Sequence, residues 1–422
     1  MLRVVHPICC GLDVHKKFIQ ATIVTTGKDG VAEYQYGTFS TFNEDLEKFK
    51  AWLAKNNCKE VCMESTGKYW IPIFNILEDS VHVTLANPKY VRAIKGKKTD
   101  KNDSQWIGDL HSHGLVPGSY IPMKPIRMLR DLCRYRTKLI SNRTSEKNRV
   151  QNSLTVSNIA LANVVSDVFG KTAQAIIGYL LTCEVFDEAY CKTLIDPRIK
   201  ATPDEIIKSI VGYNMPIEQA AKIEISKQHL GSIENCLESL DQCITETAKP
   251  YEPQIKLLAS MPGITDVSAT RIISEIGVDM SVFTSSKYLC SWAGLTPQNN
   301  ESAGKKKGSK ISRAGVYLKP LLVQCANAAI KDANPYFRDK YQNIKKRRGH
   351  KKAIIAIARM MLTCVYNMLK NGAFFAPSDL ITDDMPLAVR QKRNKQKINA
   401  AIALLEKNGF KVSITDAEPI AV

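Results

Sequence analysis

Four carboxylates stand where phosphoryl-transfer chemistry would need them. Asp13 closes an apolar segment, Gly11-Leu12-Asp13-Val14, and Glu64 closes another, Cys62-Met63-Glu64-Ser65-Thr66-Gly67. Asp100 and Asp103 lie in Lys98-Thr99-Asp100-Lys101-Asn102-Asp103. Their i, i+3 spacing puts both on one helix face, with Cβ atoms about 5–6 Å apart. Oxygen clusters of this kind hold hard divalent cations, and a pair of Mg²⁺ ions can stabilise the attacking and leaving oxygens of a phosphoryl transfer. Taken alone, Asp100 also reads as a helix N-cap with Asp103 in the first turn. Asp13 resists such a reading, because a carboxylate inside an apolar strand is costly to bury without a partner. Lys89, Arg92, Lys95, Lys97, Lys98 and Lys101 flank the Asp pair, as a polyanionic substrate requires.

A second constellation spans 292–310. An apolar segment closes at Pro297, a polar basic loop containing Ser302-Ala303-Gly304-Lys305-Lys306-Lys307-Gly308 follows, and helix resumes near Arg313. A cationic loop of this kind grips phosphate. Ser302 also has the setting of a nucleophile on an accessible turn, which needs a base, a metal or a strong local field to activate it. Residue types alone do not choose among Ser291, Ser302, Ser309 and Ser312.

The elements that must position these groups follow from the hydrophobic pattern. Apolar or β-branched runs at 8–14, 18–25 and 31–39 predict three strands, with a turn at Gly27-Lys28-Asp29-Gly30. Leu46, Phe49, Trp52 and Leu53 predict a helix. Strand 60–64, helix 70–77, strand 81–86 and a helix opening near Asp100 follow. A hairpin meander followed by βαβ units builds a mixed sheet with helices packed on it, so 1–118 is read as an α/β domain. From about 122 to 249 the strand signal disappears. The stretch 124–149 carries nine Lys or Arg, among them Arg130, Arg134 and Lys138, against Asp131 and Glu146. Ile126, Leu129, Leu132, Tyr135 and Leu139 recur between them at helical spacing. This predicts a long basic helix paired antiparallel with a second near 216–247, an arm over 119–250 that faces phosphates or is a solvated face. An all-α domain over 251–375 opens with Met261-Pro262-Gly263-Ile264, a partial helix-hairpin-helix pattern with Thr265 where a second Gly is expected. Ordinary helix packing accounts for it nearly as well. A basic helix at 390–406 lies in the remaining segment, 376–422, to which no role is assigned.

Composition supports a polyanionic partner. The 422 residues include 59 Lys and Arg against 41 Asp and Glu, a formal charge of +18, with an ordinary globular 44% of hydrophobic residues. A membrane role is not expected. The most apolar stretch, 353–369, is interrupted by Arg359 and falls short of the ~20 residues a span needs, and the N-terminus has no signal-peptide pattern. The twelve cysteines contain no C-x-x-C pair and read as reduced thiols in a cytosol rather than zinc ligands.

The combination resembles the DEDD-type serine transposases of insertion-sequence family 110, which are related to the Piv-type DNA invertases. Gly11-Leu12-Asp13-Val14-His15-Lys16, Glu64-Ser65-Thr66-Gly67 and Lys98-Thr99-Asp100-Lys101-Asn102-Asp103 are similar to the family's RuvC-like carboxylate set. Pro262-Gly263-Ile264, Phe283, Ala293-Gly294-Leu295-Thr296-Pro297 and Ser302-Ala303-Gly304 resemble its C-terminal transposase domain, as do 313–322 and 351–362. The family usually has Gly directly after the serine, where this chain has Ala303 and then Gly304.

The resemblance implies an RNase H-like N-terminal fold and a Mg²⁺ site at Asp13, Glu64, Asp100 and Asp103. It makes Ser302 the nucleophile on a DNA phosphodiester. It also implies a homo-oligomeric synaptic complex, dimer to tetramer, in the cytoplasm of a bacterium or archaeon, with donor and target DNA paired to an element-encoded bridge RNA. Lys97, Lys98, Arg130, Arg134, Lys138, Lys305, Lys306, Lys307 and Arg313 are the candidate nucleic-acid contacts. The competing functions are a metal-only junction-resolving nuclease, in which Ser302 merely lines a phosphate loop, and a non-catalytic nucleic-acid-binding protein with structural carboxylates.

Overall fold

The computed structural model describes residues 3–65, 67–91, 99–297, 300–302, 305–308 and 310–376, together with 402 and 406. It divides into two compact units, 1–122 and 123–422.

The first unit is built on a five-stranded mixed sheet. Strands β1 (Ile8–Val14), β2 (Phe18–Thr26) and β3 (Ala32–Ser40) form an antiparallel meander. Helix α1 (Asn43–Lys55), strand β4 (Glu60–Glu64), helix α2 (Trp70–Leu77), strand β5 (His82–Ala86) and the short helix α3 (Pro88–Val91) follow, and α4 (Asp100–Ser112) closes the unit. The spatial order is β3-β2-β1-β4-β5, with β4 parallel to both β1 and β5. This is the expected RNase H-like arrangement. β1 is central and covered on both faces, so Cys9, Cys10, Leu12 and Val14 form an almost unbroken buried run rather than an alternation. β3 is an edge, and its Tyr34 and Tyr36 stay exposed. On one face α1 buries Leu46, Phe49 and Leu53, and α2 buries Ile73, Phe74 and Leu77.

Helix α4 lies on the sheet at unusually short range, and two glycines allow it. A Cβ on Gly11 would stand 2.2 Å from the Ser104 carbonyl oxygen and 2.3 Å from the Gly108 nitrogen. Cys9 Sγ donates to the Gly108 carbonyl at 3.5 Å, and the buried Thr22 and Ser104 hydroxyls bond at 2.7 Å. The seam leaves no room for a side chain at Gly11, and this close approach holds α4, with Asp100 and Asp103 in its first turn, over β1. Gly11→Ala should therefore cost about 3 kcal/mol, the upper part of the usual overpacking range, read as a lower urea midpoint for this unit. An unchanged midpoint would mean that the seam is loose.

The second unit begins with a helical arm. α5 (Lys124–Val156) leads to three short helices, α6 (Lys171–Thr182), α7 (Glu188–Thr193) and α8 (Pro203–Lys208), and α9 (Ile217–Ala248) returns. Arg136 bonds Asp241, while Glu146 lies near His229, so α5 and α9 run antiparallel, as their sequences predict. The α9 seam repeats every seven residues through Ile223, Leu230, Leu237 and Ile244. The α5 stripe differs from its expected form. Ile126, Leu129 and Leu139 are buried, but Cys133 takes the position between them, and Tyr135 is 54% exposed. A separate core at the far end of the arm includes Val150, Leu154, Leu161, Ile176, Ile206 and Ile223.

Helices α10 (Glu252–Ala259), α11 (Asp266–Ile276), α12 (Ser286–Trp292), α13 (Leu318–Ala329), α14 (Tyr336–Arg348) and α15 (His350–Asn371) complete the unit. Thr265 is the N-cap of α11, accepting from the Ser268 amide at 3.3 Å. One of the amides a phosphate would seek in a helix-hairpin-helix is thus already occupied. Among the described residues α15 alone is long and apolar enough to cross a membrane. It runs for 22 residues, longer than its interrupted sequence suggests. Its Ala353, Ile357, Ala358, Met361, Leu362 and Val365 are buried in this unit's core, where α15 packs against α12, α13 and α14. All twelve cysteines are free thiols. Burial pushes those of Cys9 and Cys62 up to about 12.

Candidate active site

The strand register brings two carboxylates distant in sequence to the ends of adjacent strands. Leu12 of β1 pairs with Met63 of β4, and Asp13 and Glu64 are the next residues on these parallel neighbours. The helix over β1 supplies the others. Thr99, not Asp100, caps α4, its hydroxyl accepting from the Asn102 amide at 3.2 Å. Asp100 and Asp103 therefore sit in the first turn, with no capping bond required of Asp100. Its carboxylate is 52% exposed, whereas that of Asp13 is 20% exposed.

His15 joins them. Its Nε2 lies 3.2 Å from Asp13 Oδ2 and 3.5 Å from Asp100 Oδ1, buried and without hydrogen-bond geometry to either. One ligand atom from each of Asp13, His15 and Asp100 lies within 4.8 Å of the other two. Burial pushes the Asp13 carboxyl above its ordinary value; His15 opposes the shift, and the charges of Asp103 and Asp100 reinforce it. Carboxylates crowded and partly withdrawn from water, beside an imidazole nitrogen with no hydrogen bond, make a donor set that a divalent cation fits. The sequence places His15 in the motif around Asp13, but nothing in the spacing marks it as a neighbour of Asp100. Lys101 of the same helix stacks on Tyr36, 3.7 Å from the ring centroid. Lys97 and Lys98 lie outside the described residues.

The serine segment contains a hairpin where the sequence suggests a loop. β6 (Asn300–Ser302) pairs antiparallel with β7 (Lys305–Gly308), and Ser302 opposite Lys305 is the last pair. The two residues between them in sequence, Ala303 and Gly304, lie outside the described residues. Lys305, Lys306 and Lys307 all belong to β7. The base of the hairpin is fixed by the Pro297–Ile311 bridge and by two interlocked glycines. Gly294 has φ +70° and Gly315 φ +68°, and a Cβ on Gly315 would stand 2.1 Å from the Ala293 carbonyl oxygen. Arg313, just beyond, is exposed.

The basic arm divides into two kinds of residue. Arg134 holds the buried Glu275 through two bonds of 2.8 Å, Nε to Oε1 and Nη2 to Oε2, and its guanidinium lies 4.5 Å from the Tyr317 ring centroid. Arg130 donates to the Ser274 carbonyl oxygen at 3.0 Å and also to that of Glu275. These two arginines join α5 to the C-terminal end of α11. Lys138 is exposed. Arg134→Ala should cost about 3 kcal/mol, because it removes both hydrogen bonds to a buried carboxylate and leaves only the longer Arg130 ion pair at 3.9 Å, whereas Lys138→Ala should leave thermal stability within about 0.5 kcal/mol. Equal effects in calorimetry would contradict this division.

A sheet of this order, with carboxylates at the ends of two adjacent parallel strands and on the helix above them, defines the RNase H-like class of domain. Residues 10–159 match the DEDD transposase model of the IS110 group, and 255–342 match the transposase IS116/IS110/IS902 family. The chain belongs to the IS110/IS116 family of transposases. That family implies a divalent metal.

Relatives agree over different lengths. The insertion element IS110 uncharacterized 43.6 kDa protein of Streptomyces coelicolor is 30% identical over 130 residues, 30% of this chain and 31% of that one. The chain thus spans under a third of that relative's length. The insertion element IS116 uncharacterized 44.8 kDa protein of Streptomyces clavuligerus is 25% identical over 312 residues, covering 69% and 76%. A pilin gene-inverting protein of Moraxella lacunata is 22% identical over 382 residues, covering 86% and 96%.

Proposed function

We propose that this chain cuts and rejoins DNA, with Ser302 as the nucleophile and Asp13, Glu64, Asp100 and Asp103 holding Mg²⁺. The observation that carries the reading is the gathering of Asp13, His15 and Asp100 ligand atoms within 4.8 Å, in a chain of a transposase family. Bound Mg²⁺ would supply charge stabilisation on the phosphate oxygens. Ser302 Oγ forms a bond to phosphorus as the bond to the departing sugar oxygen breaks. The serine proton leaves, and the departing oxygen gains one. The serine ester retains the energy of the phosphodiester, so attack by a second DNA hydroxyl rejoins the strands without ATP.

Lys97, Lys98, Lys138, Lys305, Lys306, Lys307 and Arg313 neutralise backbone phosphates, while Arg130 and Arg134 fix the arm that presents Lys138. A bridge RNA chooses the sites by base pairing, and a dimer to tetramer of the chain assembles the synapse. The protein works in the cytoplasm on nucleoid DNA.

Inversion is a second reading, favoured by the match to a pilin gene-inverting protein along 86% of this chain. Plasmids carrying the element ends, placed either on separate molecules or inverted on one, distinguish the two. Junctions between molecules support transposition, and flipped segments support inversion. Absence of any Mg²⁺-dependent strand cleavage on every substrate, with RNA transcribed from the flanking DNA supplied, would overturn both.

A further inference from the structure

At the end of the sheet opposite Asp13 and Glu64, four residues distant in sequence converge. His6 precedes β1, Glu60 opens β4, His82 opens β5, and His111 lies near the end of α4. Glu60 Oε2 is the centre of the group. It is 3.8 Å from His6 Nδ1, 3.7 Å from His111 Nε2 and 2.8 Å from His82 Nδ1. The His6 and His111 rings stack with centroids 4.6 Å apart and planes 16° from parallel. His111 is 3% exposed, and its Nε2, aimed at Glu60, is buried with no hydrogen-bond partner. A buried, unpaired imidazole nitrogen costs stability unless something fills its lone-pair direction.

We propose that His6, Glu60 and His111 form a transition-metal site of the Zn²⁺ class, with His82 holding Glu60 in place and a fourth position left to water. The donor set carries the choice of metal. Two imidazoles and one carboxylate suit borderline ions such as Zn²⁺, whereas the hard Mg²⁺ prefers oxygen donors, of which this set offers a single carboxylate. The distances agree as well. Metal–ligand bonds of 2.0–2.1 Å in a tetrahedron put donors about 3.3 Å apart. The two His–Glu distances exceed this by about half an ångström, which side-chain rotation closes. One ligand atom of each of the three residues already lies within 4.8 Å of the others. Burial, helped by His6, pushes His111 down to about 4, so its imidazole is neutral at physiological pH, as a ligand must be.

The backbone is arranged for the same purpose. The amides of Val5 and His6 donate to the Ser112 carbonyl oxygen at 2.7 and 3.0 Å, clamping the segment before β1 to the end of α4. A metal here ties that segment, the start of β4 and α4 together. α4 carries Asp100 and Asp103 at its other end, so the site anchors the helix that presents them. This inference does not depend on the DNA-recombining reading.

The test uses the full-length protein stripped with a chelator and titrated with Zn²⁺ against a chromophoric competitor, with Co²⁺ as a spectroscopic probe. One tight equivalent of Zn²⁺ is expected. It should persist in the Asp13→Asn/Asp100→Asn double variant and weaken at least about 100-fold in His6→Ala and Glu60→Gln. Both residues are partly exposed, so folding should survive these changes; His111→Gln is a harsher companion. Co²⁺ should give the visible absorption of a four-coordinate nitrogen–oxygen site, without thiolate charge transfer in the near ultraviolet. The proposal is overturned if no tight equivalent binds, if His6→Ala and Glu60→Gln bind as the wild type does, if binding is lost with the carboxylates, or if thiolate absorption appears.

Discussion

Ser302→Ala should lower DNA strand joining by about 10⁴–10⁶-fold, the scale on which deleting a serine nucleophile acts in a covalent mechanism. That is about 5.5–8 kcal/mol of transition-state stabilisation. DNA affinity should change little, because one hydroxyl contributes little beside the lysines of β7, and binding is dominated by phosphate neutralisation. The base of the hairpin should also be undisturbed, since Gly294, Gly315 and the Pro297–Ile311 bridge lie outside the substitution. Electrophoresis of end-labelled DNA reads both quantities in one experiment. Joining that survives at more than a hundredth of the wild-type rate would remove Ser302 from the chemistry. Efficient cutting without joining would instead favour a metal-only nuclease.

Asp13→Asn should abolish Mg²⁺-dependent cleavage and, unusually for a substitution in a folded sheet, stabilise the metal-free protein. The sign follows from the direction of the Asp13 shift. Its folded-state pKa lies above the unfolded value of 3.8, so the fold disfavours the charged form, and the penalty is fully present above the folded pKa. Asn removes the charge without changing the volume. A gain of about 0.5–2 kcal/mol at pH 7 is expected, the range typical of relieving a functional site. The difference should vanish as the pH falls through the raised Asp13 pKa and the wild type becomes neutral there. Urea unfolding at pH 7 and at pH 3 measures this. The midpoint rise that Mg²⁺ produces in the wild type should be absent from the variant. A destabilised variant that still responds to Mg²⁺ would contradict the assignment of Asp13 as a metal ligand.

Much of the first unit was legible in the sequence because its signals are local. The strand runs are apolar and bounded by turn residues, Leu46, Phe49 and Leu53 mark one helix face, and the carboxylates fall at segment ends. What escaped depends on distant partners. Positive charge along α5 is the same on paper whether it faces solvent or, like that of Arg130 and Arg134, meets the end of α11. The helices within the arm have short, mixed patterns whose apolar faces make sense only against Val150 and Ile223. His15 is close to Asp100 only because Gly11 and Gly108 let α4 approach β1. The cluster of His6, Glu60, His82 and His111 has no spacing signature, since each residue comes from a different element.

Ser302 should become covalently joined to DNA during strand exchange. The direct measurement is to quench a wild-type reaction in denaturant, digest the protein and the DNA, and locate the nucleotide-bearing peptide by mass spectrometry. One adduct is expected, formed only with Mg²⁺, on Ser302. An adduct on Ser309 or Ser312, or cut strands with no adduct on any peptide, would contradict it.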